Sequence, residues 1–225
     1  MTGWPSTRCG GGEYMERMSR MTRLLGIDAG FAKMGAVIVE LSDVGDGDPA
    51  PRQILFAETC RTEPTPRKRG VRVADDDAER CQELARFLID TIRTYQPAGA
   101  VVELPSGGSQ GARANRAMGM ATGIVVAVLE MAELPAEWVT PGDVKKAATG
   151  RADGSKEAVQ AAVKEAFDWG DCWPPAKPKW VLEHVADAAA AVLAAEGGTL
   201  IRALERMAEM QAKEDCQHGE RAEGY

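Results

Sequence analysis

Four residues of this chain pair metal-seeking chemistry with positions where a folded protein seldom puts it: Asp28, Glu103, His184 and Asp187. Asp28 closes the apolar run Leu24-Leu25-Gly26-Ile27, and Glu103 follows Ala100-Val101-Val102. Strand interiors disfavour carboxylates, and a buried one is costly unless it is paired or bound to a cation. In open α/β sheets, residues at the carboxyl ends of strands line the functional crevice. Taken singly, Asp28 also reads as a cap on the turn at Gly30, and Glu103 as a solvent-facing residue. His184 and Asp187 stand three apart in a helical stretch, so they share one helix face. Alanines 186 and 188–191 around them would let that helix lie close on a sheet. His184 is one of two histidines, and the other, His218, lies in the tail. Three carboxylates with one imidazole suit Mg²⁺ or Mn²⁺, the imidazole tilting the preference toward Mn²⁺. Two such ions about 4 Å apart would clamp a phosphodiester, one generating the attacking hydroxide and the other stabilising the leaving oxygen.

The elements that must position these groups can be read along the chain. Arg23 to Leu41 reads as a strand pair turning at Gly30 to Gly35, and Gln53 to Thr59 as a third antiparallel strand. Asp43 to Arg52 is a Gly-, Asp- and Pro-bearing hairpin loop. A helix from Ala74 to Tyr95 is expected to bury Ala78, Cys81, Leu84, Ala85, Leu88, Ile89 and Ile92, with Asp75-Asp76-Asp77 suiting its dipole. Ala100 to Leu104 is a short buried strand. Arg113 to Glu133 is a long helix, Glu137 to Thr140 a fifth strand, and Pro141-Gly142-Asp143 opens another helix. Ser155 caps a helix through Phe167, and the last regular helix spans Val181 to Ala195. Asp168 to Lys179, rich in Trp and Pro, is irregular. Three antiparallel strands followed by alternating helix and strand give an α/β fold, a mixed five-stranded sheet flanked by helices.

At 225 residues the chain suits one domain with tails. Its 44% apolar and 27% charged residues mark a soluble protein, and no apolar run reaches the roughly 18 residues that span a bilayer. The first twenty residues carry no apolar segment and are not a secretory signal. Met15, Met18 and Met21 all precede the first strand, so each is a candidate start. Five cysteines without a CxxC pair favour reduced thiols and a cytosolic setting. The net charge of −7 argues against a nucleic-acid partner only superficially, because binding depends on where the cations sit. They are bunched: Arg67-Lys68-Arg69 with Arg72, Lys145-Lys146 with Arg151 and Lys156, and Lys177 with Lys179. Each bunch also reads as a solvated loop, so charge leaves the question open.

The pieces Leu25-Gly26-Ile27-Asp28-Ala29-Gly30, Val101-Val102-Glu103, Val144-Lys145 with Lys156, and His184-Val185-Ala186-Asp187-Ala188-Ala189 occur together and in order. In this the chain resembles the RuvC family of Holliday-junction resolvases, within the ribonuclease H-like superfamily, as a phage or divergent member. The resemblance implies a ribonuclease H-like nuclease domain over 22–198, between a flexible extension at 1–21 and a C-terminal helix and polar tail at 199–225. It implies a metal centre of Asp28, Glu103, His184 and Asp187 holding two Mg²⁺ or Mn²⁺ ions. Lys145 and Lys156 would act beside the cut phosphate. DNA contacts are expected from these two, from Lys146 and Arg151, from Arg67, Lys68, Arg69 and Arg72, and from Ser106 and Ser109. The family acts as two-fold homodimers, which would put Met118, Gly119, Thr122, Gly123 and Val126 at the interface. Paired symmetric nicks in a four-way junction, leaving 5′-phosphates and 3′-hydroxyls, are the implied reaction. The setting is the cytoplasm of a bacterium or of a phage-infected host. A branch-migration helicase is a conceivable partner, although no segment of the sequence points to one.

One departure bears on substrate. Many relatives carry an aromatic just after the strand glutamate, where it stacks on a junction base, whereas Leu104-Pro105-Ser106-Gly107-Gly108 has none. Forks, flaps or RNA are therefore alternative substrates of the same fold, and a non-catalytic junction binder is a third reading. A sugar-kinase or actin-like ATPase shares the strand-Gly-Asp-Gly opening but needs a second lobe that this chain is too short to hold.

Overall fold

A computed structural model describes residues 21–42, 52–66, 70–105, 111–173, 179–204, 206, 207 and 210. Five strands, β1 (Met21–Asp28), β2 (Lys33–Ser42), β3 (Arg52–Arg61), β4 (Gly99–Glu103) and β5 (Ala136–Val139), form one sheet in the order β3-β2-β1-β4-β5. The first three are antiparallel neighbours, while β4 runs parallel to β1 and β5 parallel to β4. This is the expected mixed sheet. Helices α1 (Val73–Tyr95) and α2 (Ala112–Met131) cover one face. Helices α3 (Pro141–Thr149), α4 (Lys156–Ala166) and α5 (Lys179–Ala194) cover the other. Among the described residues no helix is long and apolar enough to cross a membrane.

Alternation along the strands sorts the core into two clusters. Leu25, Ile27, Ile38, Ala100 and Val102 pack under α1 and α2 with Leu84, Leu88 and Val125. Leu24, Val37, Val39 and Val101 pack under α5 with Val185, Ala186 and Ala188–Ala191. Asp28 and Glu103 fall on the α5 side by the same alternation. The helical turn at 199–204 packs Leu200 and Ile201 into this second cluster, and the Leu200 N–H donates to Glu137.

Two features differ from the sequence reading. Ala78, expected on the buried face of α1, is exposed, and Asp76, Asp77 and Arg80 are buried in its place. Asp76 accepts from the Thr65 N–H at 2.6 Å, Asp77 pairs with Arg116, and Arg80 donates to the Thr62 hydroxyl at 3.0 Å. The helix start is therefore fixed by tertiary ion pairs and hydrogen bonds, which a periodicity count cannot register. The tryptophan-bearing segment is also ordered structure in part. Asp168 bridges to β3, Trp169 Nε1 donates to the Val163 carbonyl at 2.9 Å, and Trp169 and Trp173 meet edge to face at 4.6 Å. Asp168 thereby pairs with the outer edge of β3 at its start, Arg52 to Ile54, where the backbone would otherwise be unpaired.

Candidate active site

Close backbone approach sets the site. A Cβ on Gly26 would lie 2.3 Å from the Ala188 carbonyl oxygen, and one on Gly35 would lie 2.2 Å from that of His184. Only residues without a side chain allow β1 and β2 to touch α5 in this way. Ala186 and Ala188–Ala191 of α5, fully buried, complete the contact. The result brings the His184 turn directly over the end of β1.

There the His184 Nδ1 and an Asp28 carboxylate oxygen stand 2.6 Å apart, both side chains about one-fifth exposed. Glu103 is the direct register partner of Asp28 across the parallel β1–β4 pair, so the two carboxylates stand on adjacent strands and the same face. Burial pushes the Glu103 carboxyl up to about 8, reinforced by the negative charges of Asp28 and Asp187 and opposed by Lys145 and Lys156. Burial likewise raises Asp187 to about 6, with Asp28 adding to the shift and Lys156 and His184 opposing it. All four predicted residues thus feel one another. As the side chains stand, among the described residues no three His, Cys, Asp or Glu groups are gathered into an ion-holding cluster. The donor set nevertheless fits a hard divalent cation. Burial and neighbouring negative charge hold the Glu103 and Asp187 carboxyls toward their neutral forms, and that penalty is relieved when a cation lies beside them.

The basic residues divide into two sets. Lys145 comes from α3, whose start is locked by a reciprocal capping box between Thr140 and Asp143. Lys156 opens α4, capped by Ser155, whose hydroxyl accepts from the Ala158 N–H at 3.2 Å. Both lysines act electrostatically on Glu103, and Lys156 also lies 3.8 Å from Glu183. The other described cations are directed elsewhere. Arg151 forks onto Asp153 with both contacts at 2.9 Å, Arg72 forks onto Asp75, and Lys146 is exposed and adjoins Asp143. Arg67, Lys68, Arg69, Ser106 and Ser109 lie outside the described residues. Sequence reasoning overlooked Gly26 and Gly35 as spacers, Glu183 as the partner of Lys156, and the cations Lys33 and Arg61. The spacers had a signal, since each interrupts an otherwise apolar strand.

On the outer side of α2, a Cβ at Gly119 or Gly123 would meet nothing, and Val126 is half exposed. Thr122 and Met118 are partly exposed.

Strand order and layering place the fold in the ribonuclease H-like class. No family model matches the chain. In sequence it is 28% identical over 145 residues to the crossover junction endodeoxyribonuclease RuvC of Wolbachia sp. subsp. Brugia malayi, covering 64% of this chain and 80% of that one. It is 29% identical over 147 residues to RuvC of Ruegeria pomeroyi, covering 63% and 76%. In structure it is similar to RuvC of Thermus thermophilus, with a TM-score of 0.58, 23% identity, and coverage of 77% of this chain and 92% of that one. The yeast mitochondrial Holliday junction resolvase Ydc2 has a TM-score of 0.55 at 12% identity, with coverage of 91% and 92%. The chain is RuvC-like in sequence and fold, a relative of hydrolases that act on DNA, as its four motifs imply.

Proposed function

We propose that this protein is a divalent-metal-dependent endonuclease that resolves four-way DNA junctions by paired symmetric nicks. The observation that carries the reading is the contact of Asp28 with His184 on the α5 face of a RuvC-like sheet; Glu103 beside Asp28 on the next strand, Asp187 on the His184 helix, and Lys145 and Lys156 acting on the neighbouring carboxylates support it. RuvC of Thermus thermophilus, a structural neighbour, has been solved in complex with a Holliday junction substrate. Asp28, Glu103, His184 and Asp187 would hold Mg²⁺ or Mn²⁺, two ions per site. When bound, these ions would activate water for attack on a phosphodiester and stabilise the departing oxygen.

The chain's own residues do the rest. Asp28 holds the His184 ring through Nδ1 and so fixes its orientation. Glu103 keeps a proton at pH 7 in the metal-free protein and releases it once its carboxylate is paired with positive charge. Lys145 and Lys156 supply the positive field that offsets charge developing on the attacked phosphate. Lys146 and Arg151, with Arg67, Lys68, Arg69, Arg72, Ser106 and Ser109, extend the DNA contacts beyond the site. The nuclease unit is 22–198, flanked by 1–21 and by 199–225, whose first turn docks on it. Two copies associate through the outer face of α2, and the open space beside Gly119 and Gly123 supports this because it lets two helices approach closely. A Val126→Glu variant is expected to be monomeric by light scattering and to lose paired nicking. A cytoplasmic setting completes the proposal.

Leu104, 37% exposed at the position where the resemblance implies an aromatic, favours a broader second reading that includes forks and flaps. Cleavage of a synthetic junction, fork, duplex and RNA–DNA hybrid under one Mg²⁺ condition separates the readings. The junction is expected to be cut at symmetric positions and faster than the rest. Equal cutting of duplex and junction would refute structure selectivity.

A further inference from the structure

Beside the four-residue site lies a cluster that folding alone does not account for. Lys33, first residue of β2, and Arg61, last residue of β3, are directly opposed cross-strand partners. Like charges placed directly opposite destabilise a sheet. Both face the ring of Trp180: the Lys33 Nζ is 5.0 Å from its centroid and the Arg61 Cζ 5.4 Å. The indole's negative face attracts the two cations and partly offsets their mutual repulsion. Glu63 takes up part of the Arg61 charge at 2.5 Å, in a pair that is at least half exposed on both sides. Among the described residues no carboxylate is ion-paired with Lys33.

The position of the cluster is set by elements already described. Trp180 precedes His184 by four residues, one turn along the same side of α5. Thr59, two residues before Arg61, donates its hydroxyl to the Val181 carbonyl at 3.3 Å and ties the end of β3 to the start of α5. Gly35 pairs with Asp28, and Lys33 stands two residues before Gly35 on β2, about 7 Å past the end of β1. The cations therefore stand on the face and at the sheet end that carry Asp28 and His184. They extend the site away from Glu103 and opposite to Lys145.

We infer that Lys33 and Arg61, held side by side on the Trp180 ring, form a backbone-phosphate cradle for the DNA strand leaving the cut position. The inference rests on the nuclease reading above. Two cations at a fixed spacing match consecutive phosphodiesters, and the indole acts as a positioning residue that keeps their side chains from diverging. The aromatic absent after Glu103 is not replaced in kind here, because this ring holds cations and is not free on both faces for a base.

The test measures binding of a fluorescent synthetic four-way junction by full-length protein carrying Asp28→Asn, over a range of salt concentrations. In that background Lys33→Ala with Arg61→Ala is expected to weaken binding about tenfold or more and to lower the slope of log affinity against log salt by about 2, at roughly 0.9 per phosphate contact. Trp180→Ala should lower the same slope, and Trp180→Phe should restore most of it. Arg93→Ala, at the far end of α1, should change neither quantity. Thermal melts confirm that each variant is folded. An unchanged slope in the folded double variant overturns the cradle. A loss of affinity in Trp180→Ala without a change of slope also overturns it, because the ring would then stack on a base. If the parent protein binds and the wild type cuts the junction while the variants behave as the parent, only this inference fails. If the wild type neither binds nor cuts a junction, the nuclease reading itself fails.

Discussion

The two faces of the sheet are built on different principles. Under α1 and α2 the packing uses large side chains such as Leu84, Leu88 and Val125, and the active-site end is closed by the ionic network of Asp77, Arg80 and Arg116. On the other face the alanines of α5 and the strand glycines Gly26 and Gly35 bring backbone nearly onto backbone, between branched strand residues such as Val37 and Val39. Large side chains repack when disturbed, whereas a backbone contact has no slack. The chemistry is on the face without slack. His184 and Asp187 inherit their positions from the α5 backbone, and a small displacement there would separate them from Asp28 and Glu103.

That contrast is open to attack by substitution. Glu103→Gln is expected to lower junction cleavage by on the order of 10³-fold while leaving the protein folded, since it removes a metal-binding and charge-balancing group from the centre. Gly35→Ala comes next. Its methyl group would force α5 outward, costing about 1–3 kcal/mol of stability, and cleavage should fall far more than the loss of folded protein explains. The matched control on the other face is Leu88→Val, which should lower the melting temperature while leaving cleavage per folded molecule nearly unchanged. Equal sensitivity of activity to both substitutions would remove the distinction between the faces.

A smaller effect separates the faces by pH. Glu103 and Asp187 ionise in the unfolded chain near their ordinary values, but keep protons in the metal-free folded protein up to about 8 and about 6. Above pH about 4.5 the unfolded chain therefore holds fewer protons than the folded one, and stability falls as pH rises toward 8. Melts in chelator should show this decline. Glu103→Gln should flatten most of it, and Asp187→Asn should remove the part complete near pH 6. On the opposite face Arg116→Ala, which strips a partner from the buried Asp77, is expected to cost about 1–3 kcal/mol with little change in that pH slope.

The sequence showed the parts of this arrangement that depend on local pattern. Asp28 and Glu103 read as strand-end carboxylates because each follows a short continuous apolar run, and three-residue spacing put His184 and Asp187 on one helix face. What was not legible depends on contacts between distant segments. Gly26 and Gly35 look like ordinary turn or strand glycines until α5 is laid across them. Asp76, Asp77 and Arg80 look like a solvated helix start until Thr62, Thr65 and Arg116 are brought to them, which is why Ala78 was expected inside. The pairing of Lys33 with Arg61 depends on the β2–β3 register, including the irregularity between Ile38 and Val39 that no turn signal reveals.

The central claim is that Asp28, Glu103, His184 and Asp187 act as one metal-dependent centre on branched DNA. Its most direct test is nucleotide-resolution mapping of four-way-junction cleavage by wild type and Asp28→Asn, with Mg²⁺ and Mn²⁺ compared. Symmetric nicks by the wild type in both metals, none in chelator, and junction binding without cleavage by Asp28→Asn are predicted. Robust cleavage by Asp28→Asn, or cleavage indifferent to chelator, would contradict the account.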